Sequence, residues 1–296
     1  MSFINNAHPG SQINLLCLIY RVLHENPNKY TGEELQDYCA PEPIFSSDDH
    51  RKRFRDTLSF WSKSPHQLWS SGQEKKLSLD LPVESNGFSV SEIAHQLRHR
   101  LMAIDFSDIS SDEDEFGASK AIRSFAYILT QDKFSIFNHA LTKEEIDASF
   151  ASNFGNFSLN DSEKSYFIEF CNFLGISEKV GSQDFLDPTR LLDSFVSKIF
   201  EDTRELKATD FFQRLAECVP IVDNGKYNVL VRELIGAETD MPNSLSINLS
   251  HAINRLKEKR VIQIAETSDD MNAIVLNLPN GIERQISSIT LLRGIQ

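Results

Sequence analysis

Glycine is scarce in this chain, with 12 residues in 296. The sequence contains neither a Gly-x-x-x-x-Gly-Lys-Ser/Thr loop nor a Gly-x-Gly-x-x-Gly turn, the two common backbone cradles for nucleotide phosphates. It also lacks the Gly-x-Ser-x-Gly elbow that presents a nucleophilic serine, and its eight histidines are dispersed. We therefore expect a protein that is not an enzyme and that uses no cofactor.

Cysteine is also scarce, and the four cysteines are scattered without CxxC or Cys/His spacing. A zinc site needs four ligands that converge on the metal, and nothing local arranges them here. Cys17 and Cys171 lie within apolar helical patterns, which favours small buried hydrophobic side chains with free thiols. We expect no metal site, and free thiols are typical of a reducing cytoplasm.

Long hydrophobic runs are missing as well. No apolar stretch reaches the roughly 18 residues that a membrane span requires. The opening MSFINNAHPGSQ has neither the basic start nor the apolar centre of a signal peptide. The sequence thus predicts a soluble, cytoplasmic protein that has no membrane partner.

Two acidic features have the residue types of a metal or catalytic site. Residues 112–115 are four consecutive acids, but they lack the alternating oxygen ligands and the glycine turn of a calcium loop, so a solvated linker is favoured. Asp184, Asp187 and Arg190 resemble a nuclease centre in composition. No Glu-x-Lys follows them on a strand, and Asp187-Pro188 is explained as the start of a helix.

The net charge of −13 lies in the middle of the chain. Residues 1–80 carry 9 Lys/Arg against 10 Asp/Glu, and residues 241–296 carry 6 against 5. The stretch between them holds 15 basic and 28 acidic residues. Binding to DNA phosphates needs cations, and the acidic total does not exclude it at either end of the chain.

The first 82 residues predict three helices followed by a hairpin. Apolar spacing predicts a helix over 12–26, and a capping-box pattern at Thr31 begins the second helix. A third helix spans roughly 48–62, and alternating residues with a central turn predict a hairpin over 67–79. This order is that of a winged helix.

The third helix carries the strongest local feature, the sequence His-Arg-Lys-Arg-Phe-Arg at 50–55. In a winged helix this element enters the major groove, where Arg binds guanine edges and Lys or Arg binds phosphates. The candidate nucleic-acid-binding residues of this module are Arg51, Lys52, Arg53, Arg55, Lys63, Lys75 and Lys76. Two other interpretations stay open: a solvated face balanced by nearby aspartates, or a surface for an acidic protein partner.

The middle of the chain predicts helices only. A helix is expected at 89–100, and phenylalanine-rich helices follow from 118 onward. A break at 174–183 leads to a helix that Asp187 caps, with an apolar face over 191–199.

The last 90 residues repeat the order of the first module. Helices are predicted over 208–220, 226–236 and 245–259, followed by a hairpin of strands 261–265 and 272–276 around a turn at 268–270, with 284–292 as a further strand. A second basic cluster ends the third helix and adds the candidate nucleic-acid-binding residues Arg255, Lys257, Lys259 and Arg260. Bases in the last turn of a helix also stabilise its dipole, so this cluster has a purely structural interpretation too.

The predicted fold class is mainly α with small β-hairpins, in which tandem winged-helix-like modules flank an α-helical middle domain. The predicted segments are an N-terminal module (1–82), a helix with an acidic linker (83–117), a helical middle domain (118–204) and a C-terminal module (205–296).

The whole arrangement resembles the DpdG proteins. The resemblance rests on the short Asn-rich lead into the first module, on the Leu-Asp-Pro-Thr-Arg segment at 186–190 and on the closing module. These proteins belong to bacterial gene clusters that insert 7-deazaguanine derivatives into DNA and restrict unmodified DNA. The resemblance implies an accessory subunit of such a system. It offers no known catalytic motif that could be assigned to residues of this sequence.

Two functions follow as expectations. The first is a non-catalytic DNA-binding accessory subunit of a modification and restriction system, which contacts DNA through the basic third helix and wing of the N-terminal module and works with other protein subunits. The second is a protein–protein adaptor, in which the acidic helical middle docks a partner subunit and the winged helices are scaffolds.

Overall fold

The computed structural model describes residues 2–41, 48–80, 88–106, 117–135, 138–153, 158–237, 243–266 and 272–292. The chain divides into two compact units, Met1–Asp105 and Phe106–Gln296. The described residues are mainly helical with small antiparallel sheets, which confirms the predicted fold class at that level. The predicted acidic linker at 112–115 and the predicted turn at 268–270 lie outside the described residues. The four-segment division stays a prediction.

The first unit contains helices whose apolar faces follow the predicted spacing. Its elements are α1 (Ile13–Glu25), α2 (Gly32–Cys39), α3 (Asp48–Phe60), β1 (Trp69–Ser71), β2 (Leu77–Leu79) and α4 (Val90–Met102). Leu16, Ile19 and Leu23 of α1 are fully buried. The predicted capping box begins α2: the Glu34 N–H donates to Thr31 Oγ1 at 3.3 Å, and the Thr31 N–H donates to the Glu34 carboxylate at 2.8 Å.

Strand β2 pairs along both of its edges. On one edge it lies antiparallel to β1, with Ser71 opposite Leu77. On the other edge the Leu77 N–H donates to the Tyr30 carbonyl at 2.8 Å, and the Asn28 N–H donates to the Leu77 carbonyl at 3.2 Å. The segment between α1 and α2 therefore adds a third extended piece to the predicted hairpin.

The N-terminal lead holds α3 from its buried side. Phe3 is buried and meets the ring of Trp61 edge-on, with ring centroids 5.9 Å apart. The Thr57 hydroxyl of α3 donates to the Pro9 carbonyl at 3.4 Å. Phe54 of α3 and Trp61, directly after it, are fully buried. The opposite face of α3 is left to solvent.

The second unit begins with helices that share a phenylalanine-rich core. Its elements are α5 (Ser119–Leu129), α6 (Lys143–Asn153), α7 (Asp161–Phe173), β3 (Ser177–Val180), β4 (Gln183–Leu186), α8 (Thr189–Asp193), α9 (Val196–Phe200), β5 (Glu205–Lys207), α10 (Ala208–Cys218), α11 (Lys226–Leu234), α12 (Ile247–Glu258), β6 (Ile262–Glu266), β7 (Ile274–Leu278) and β8 (Ile282–Leu291). Phe125 of α5 stacks on Phe167 of α7 at 5.3 Å, and Tyr127 meets Phe150 of α6 at 4.7 Å.

Two local predictions in the second unit are wrong. The break at 174–183 is confirmed, since α7 ends at Phe173, but the prediction of helices only is wrong, because β3 and β4 form a hairpin that turns at Gly181 with φ +63°. The predicted single helix over 191–199 is two short helices, α8 and α9. The Ser194 hydroxyl donates to the carbonyl of Arg190 at 3.1 Å, and such bonding of a serine to the preceding turn competes with the helix backbone.

The C-terminal strands also pair differently from the prediction. Strands β6 and β7 form near 261–265 and 272–276, but each pairs antiparallel with β8, so the predicted hairpin of these two strands is wrong. Strand β8 is ten residues long. Its first half pairs with β7, and its second half pairs with both β6 and the short β5. The predicted further strand at 284–292 is confirmed as β8.

Candidate nucleic-acid interface

The solvent face of α3 presents three cations side by side. Lys52, Arg53 and Arg55 are exposed, and none of them forms an ion pair with any residue that the structure describes. Arg51 differs from them, because its guanidinium lies 2.7 Å from the Asp37 carboxylate of α2 and its side chain is only 18 % exposed. Arg51 thus ties α3 to α2, and the other three are available to an anionic ligand.

Further cations lie at the tip of the hairpin and in the segment that joins α3 to β1. Lys63 and Lys75 are exposed, and they too lack an ion-pair partner within the described part of the chain. Lys76 lies 2.7 Å from the Glu74 carboxylate. This bond raises the pKa of the Lys76 ammonium and lowers the pKa of Glu74. Glu74 and Lys75 both have positive φ, 56° and 60°, an uncommon conformation for residues other than glycine.

A groove of about 540 Å³ lies between α2, α3 and the hairpin. Two cations line it, Arg55 from α3 and Lys75 from the hairpin tip, together with one carboxylate, Glu33. The remaining lining residues are small polar or apolar ones: Thr31, Gly32, Gln36, Leu58, Ser59, Ser62, Trp69, Ser71 and Leu77. The Trp69 indole N–H donates to the Leu58 carbonyl at 3.0 Å, which fixes the indole where the hairpin meets α3.

The second basic cluster, at the end of α12, is largely paired inside its own unit. Arg255 forms an ion pair with the buried Asp187. Lys257 lies 3.6 Å from Glu266, and Lys259 lies 3.8 Å from Asp193. Arg260 is exposed and forms no ion pair with a described residue. The two candidate clusters therefore differ. The first presents most of its cations to solvent, and most cations of the second form ion pairs with acids of the same unit.

The Leu-Asp-Pro-Thr-Arg segment is a packing centre of the second unit. The Asp187 carboxylate accepts from the Thr189 N–H at 3.0 Å and from the Thr189 hydroxyl, in addition to its ion pair with Arg255. The Arg190 guanidinium donates to the carbonyls of Asn172 and Ser177, each at 2.8 Å, and pairs with Glu178 at 3.1 Å. The segment thereby joins α7, β3, α8 and α12.

These contacts give the segment a structural role. The prediction that Asp187 is the N-cap with Pro188 as the first helical residue is wrong by one position, because Pro188 is the N-cap of α8 and Thr189 is its first residue. The Asp187 carboxylate still accepts from the Thr189 N–H. Asp184 accepts from the Asn172 side-chain amide at 3.1 Å. Across the described ranges, no three His, Cys, Asp or Glu side chains lie together in a group that holds a metal ion.

The cysteine thiols have little nucleophilic character. All four are free. Burial raises the pKa of Cys17 and of Cys39 to about 11, raises the pKa of Cys218, and raises that of the fully buried Cys171 well above its ordinary value. Because the thiolate is the reactive form, these environments disfavour nucleophilic chemistry near neutral pH.

Two features of the sites could not be predicted from the sequence. The groove is lined by Ser59, Ser62 and Trp69, which carry no motif and meet only through the tertiary fold. The partner of Arg255 is likewise remote in sequence, although the Asp-Pro-Thr pattern around Asp187 does indicate a capped helix start.

Comparisons with known proteins identify the family of the chain. A search of curated proteins and a search of solved structures both found no match. None of the helices in the described ranges has the length and apolar character needed to cross a bilayer. A family model described as DpdG-like matches residues 1–270, which is most of the 296-residue chain. The chain belongs to the DpdG-like family.

Proposed function

We propose that this protein is a non-catalytic, DNA-binding accessory subunit of a bacterial DNA modification and restriction system. Membership of the DpdG-like family suggests a role in a 7-deazaguanine modification system. The DNA contact is made by the solvent face of α3 and by the hairpin of the first unit. The observation that carries this proposal is the row of exposed cations on α3 that form no ion pair with any residue in the described ranges.

A winged-helix assignment for residues 1–82 is supported by the way the hairpin is extended. In a winged helix, the segment between the first two helices pairs with the hairpin that follows the third helix. The bonds that join Asn28 and Tyr30 to Leu77 have this arrangement. Such a frame presents its third helix to the major groove and its hairpin to the neighbouring backbone.

The electrostatics of the first unit also favour DNA. Residues 1–105 carry 11 Lys/Arg against 13 Asp/Glu, so the unit as a whole is close to neutral. Several of its acids are already engaged: Asp37 by Arg51, Glu34 by the capping box and Glu74 by Lys76. Asp49 and Asp56 are exposed on the same helix, so the three exposed cations on α3 act on a phosphate against two carboxylates of α3.

The test is a charge reversal on α3 with a matched control. Lys52→Glu/Arg53→Glu is expected to lower the affinity for a labelled DNA duplex at least tenfold, measured by fluorescence anisotropy. It should also lower the slope of log affinity against log salt by about two, at about 0.9 for each lost phosphate contact. Arg51 is unsuitable for this test, because its reversal also breaks the ion pair with Asp37.

The control makes the same change in charge on the second unit. Lys179 and Lys198 are exposed there, and Lys179→Glu/Lys198→Glu should leave both the affinity and the salt slope close to those of the wild type. Equal losses in the two double variants, or no loss on α3, would refute the DNA contact proposed for α3.

A second candidate function is a protein–protein adaptor, and the charge of the second unit favours it. Residues 106–296 carry 19 Lys/Arg against 30 Asp/Glu, a net charge of −11. Most of the basic residues at the end of α12 form ion pairs with Asp187, Glu266 and Asp193. Such a unit fits a basic surface of another subunit. Co-purification of a partner that dissociates at high salt, with no binding of DNA by this chain, would favour the adaptor.

A further inference from the structure

The groove between α2, α3 and the hairpin is lined by cations and hydroxyl groups, and several of them do not belong to the proposed DNA contact along α3. Arg55 and Lys75 reach it from separate elements, and neither forms an ion pair within the described ranges. The hydroxyl groups of Ser59 and Ser71 lie along the same groove, whereas the Ser62 hydroxyl donates to the Ser59 carbonyl at 2.8 Å. Cations and hydroxyl donors are the groups that proteins use to bind phosphate oxygens.

We propose that this groove binds one phosphodiester group of the DNA backbone. The proposal rests on the proposed function and adds a phosphate-binding site to it. While α3 faces the bases, the groove binds one phosphate and fixes how the first unit is positioned on the duplex. A phosphate contact positions the protein and carries no sequence information of its own.

The charge of the groove indicates a diester in preference to a polyphosphate. Arg55 and Lys75 supply two positive charges, and Glu33 supplies one negative charge. The resulting excess of one positive charge matches the single negative charge of a backbone phosphate. A nucleoside triphosphate has several negative charges, and Glu33 would repel the surplus.

The backbone at the hairpin tip supports a role for Lys75. A lysine with φ 60° is less stable than a glycine at the same position, since the left-handed conformation is unfavourable for an L-residue. Strained residues of this kind cluster at functional sites. Here the strained residue is also one of the two cations of the groove.

The experiment is a methylphosphonate scan on a duplex that the full chain binds. Each duplex has one backbone phosphate replaced by an uncharged methylphosphonate, and affinity is measured for the wild type, Lys75→Ala and the control Lys179→Ala. Lys179 is an exposed lysine of the second unit, outside the groove lining. At the position that occupies the groove, the replacement should cost the wild type and Lys179→Ala about tenfold in affinity, and should cost Lys75→Ala less than threefold.

A second variant separates the groove from general electrostatics. Ser59→Phe fills the groove without altering the charge, and Ser59 is exposed, so folding should be retained. It should lower affinity for the unmodified duplex about tenfold and remove the sensitivity to the same methylphosphonate. Titration with ATP in the absence of DNA provides the comparison for a free nucleotide.

The outcomes separate this inference from the proposed function. If the wild type binds DNA through α3 but every methylphosphonate penalty is the same in Lys75→Ala, the groove inference is overturned and the proposed function stands. If DNA does not bind at all, both are overturned. ATP binding that is tighter than DNA binding and is lost in Lys75→Ala would overturn the assignment to a backbone diester.

Discussion

The basic residues of this chain have two distinct environments, and the difference shows which of them are structural. Lys52, Arg53 and Arg55 are exposed without an ion pair in the described ranges, whereas Arg255 faces a carboxylate that is only 3 % exposed. A buried carboxylate is stable only when hydrogen bonds and a cation compensate for its lost hydration. Asp187 has both, from Thr189 and from Arg255. Arg255 is thus expected to act on stability.

Removal of the Arg255 side chain tests this role. Arg255→Ala is expected to lower the free energy of unfolding by about 2–3 kcal/mol, because the Asp187 carboxylate then stays buried without its cation. Urea denaturation followed by circular dichroism measures the loss. DNA affinity under native conditions should change by less than threefold, about 0.7 kcal/mol.

The matched control is Arg260→Ala, which lies two residues after the end of α12 and has no ion pair to any described residue. Its effect on stability should stay within about 0.5 kcal/mol. A DNA-binding role for Arg255 would gain support if Arg255→Ala left stability unchanged and weakened DNA binding instead.

At the scale of elements, the close approach of α8 to the end of α7 depends on Gly175. This residue has φ +70°, and a Cβ placed on it would lie 2.6 Å from the Arg190 Cβ and 3.0 Å from the Leu191 backbone nitrogen. The Leu191 N–H also donates to the Gly175 carbonyl at 3.2 Å. The segment at 186–190 can therefore pack only against a residue without a side chain.

Two glycine substitutions separate crowding from backbone strain. Gly175→Ala should lower the free energy of unfolding by about 3 kcal/mol or more, since it combines a left-handed alanine with an overlap against α8. Gly181→Ala, at the turn of β3 and β4, has a similar φ of +63° and no atom within 4 Å of its new Cβ. It should cost about 1–2 kcal/mol. Equal losses, measured by thermal and urea unfolding, would contradict the packing explanation.

The helices were predictable because their determinants are local. The apolar spacing of α1 and the Thr31 capping box of α2 are present in short stretches of sequence, and both elements form there. A helix end has the same local character, as Gly236 shows by its positive φ just after α11.

Strand pairing was not predictable in the same way. Strands β6 and β7 have the expected apolar patterns, but the residues that decide their partner belong to β8, which is long enough to pair with both. Pairing of the segment at 28–31 with β2 similarly depends on contact between residues far apart in sequence. A local pattern specifies a strand and leaves its neighbour undetermined.

The candidate site was predictable in part for the same reason. The basic run at 51–55 is visible in sequence, and the side of α3 that faces solvent follows from the burial of Phe54. The pairing of Arg51 with Asp37 and the groove at Ser59, Ser62 and Lys75 arise only when separate elements come together.

For the whole molecule, the distribution of charge between the two units is the main functional constraint. The first unit has a net charge of −2 and the second a net charge of −11. Repulsion between the second unit and DNA phosphates would act over about a Debye length, roughly 8–10 Å in physiological salt. The proposed DNA contact therefore belongs to the first unit, and the second unit weakens it or leaves it unchanged.

Separate fragments test this division of labour. Fragment 1–105 includes both tryptophans of the chain, Trp61 and Trp69, which are fully buried in its core, so their near-ultraviolet circular dichroism reports whether it folds alone. The folded fragment should bind a DNA duplex at least as tightly as the full chain at low salt, because it lacks the net charge of −11. Its salt slope should equal that of the full chain, since the phosphates contacted are the same. Fragment 106–296 should give no saturable DNA binding. If this fragment alone reproduced the affinity and the salt slope of the full chain, DNA recognition would have to be assigned to α12 and the C-terminal sheet, despite their internal ion pairs.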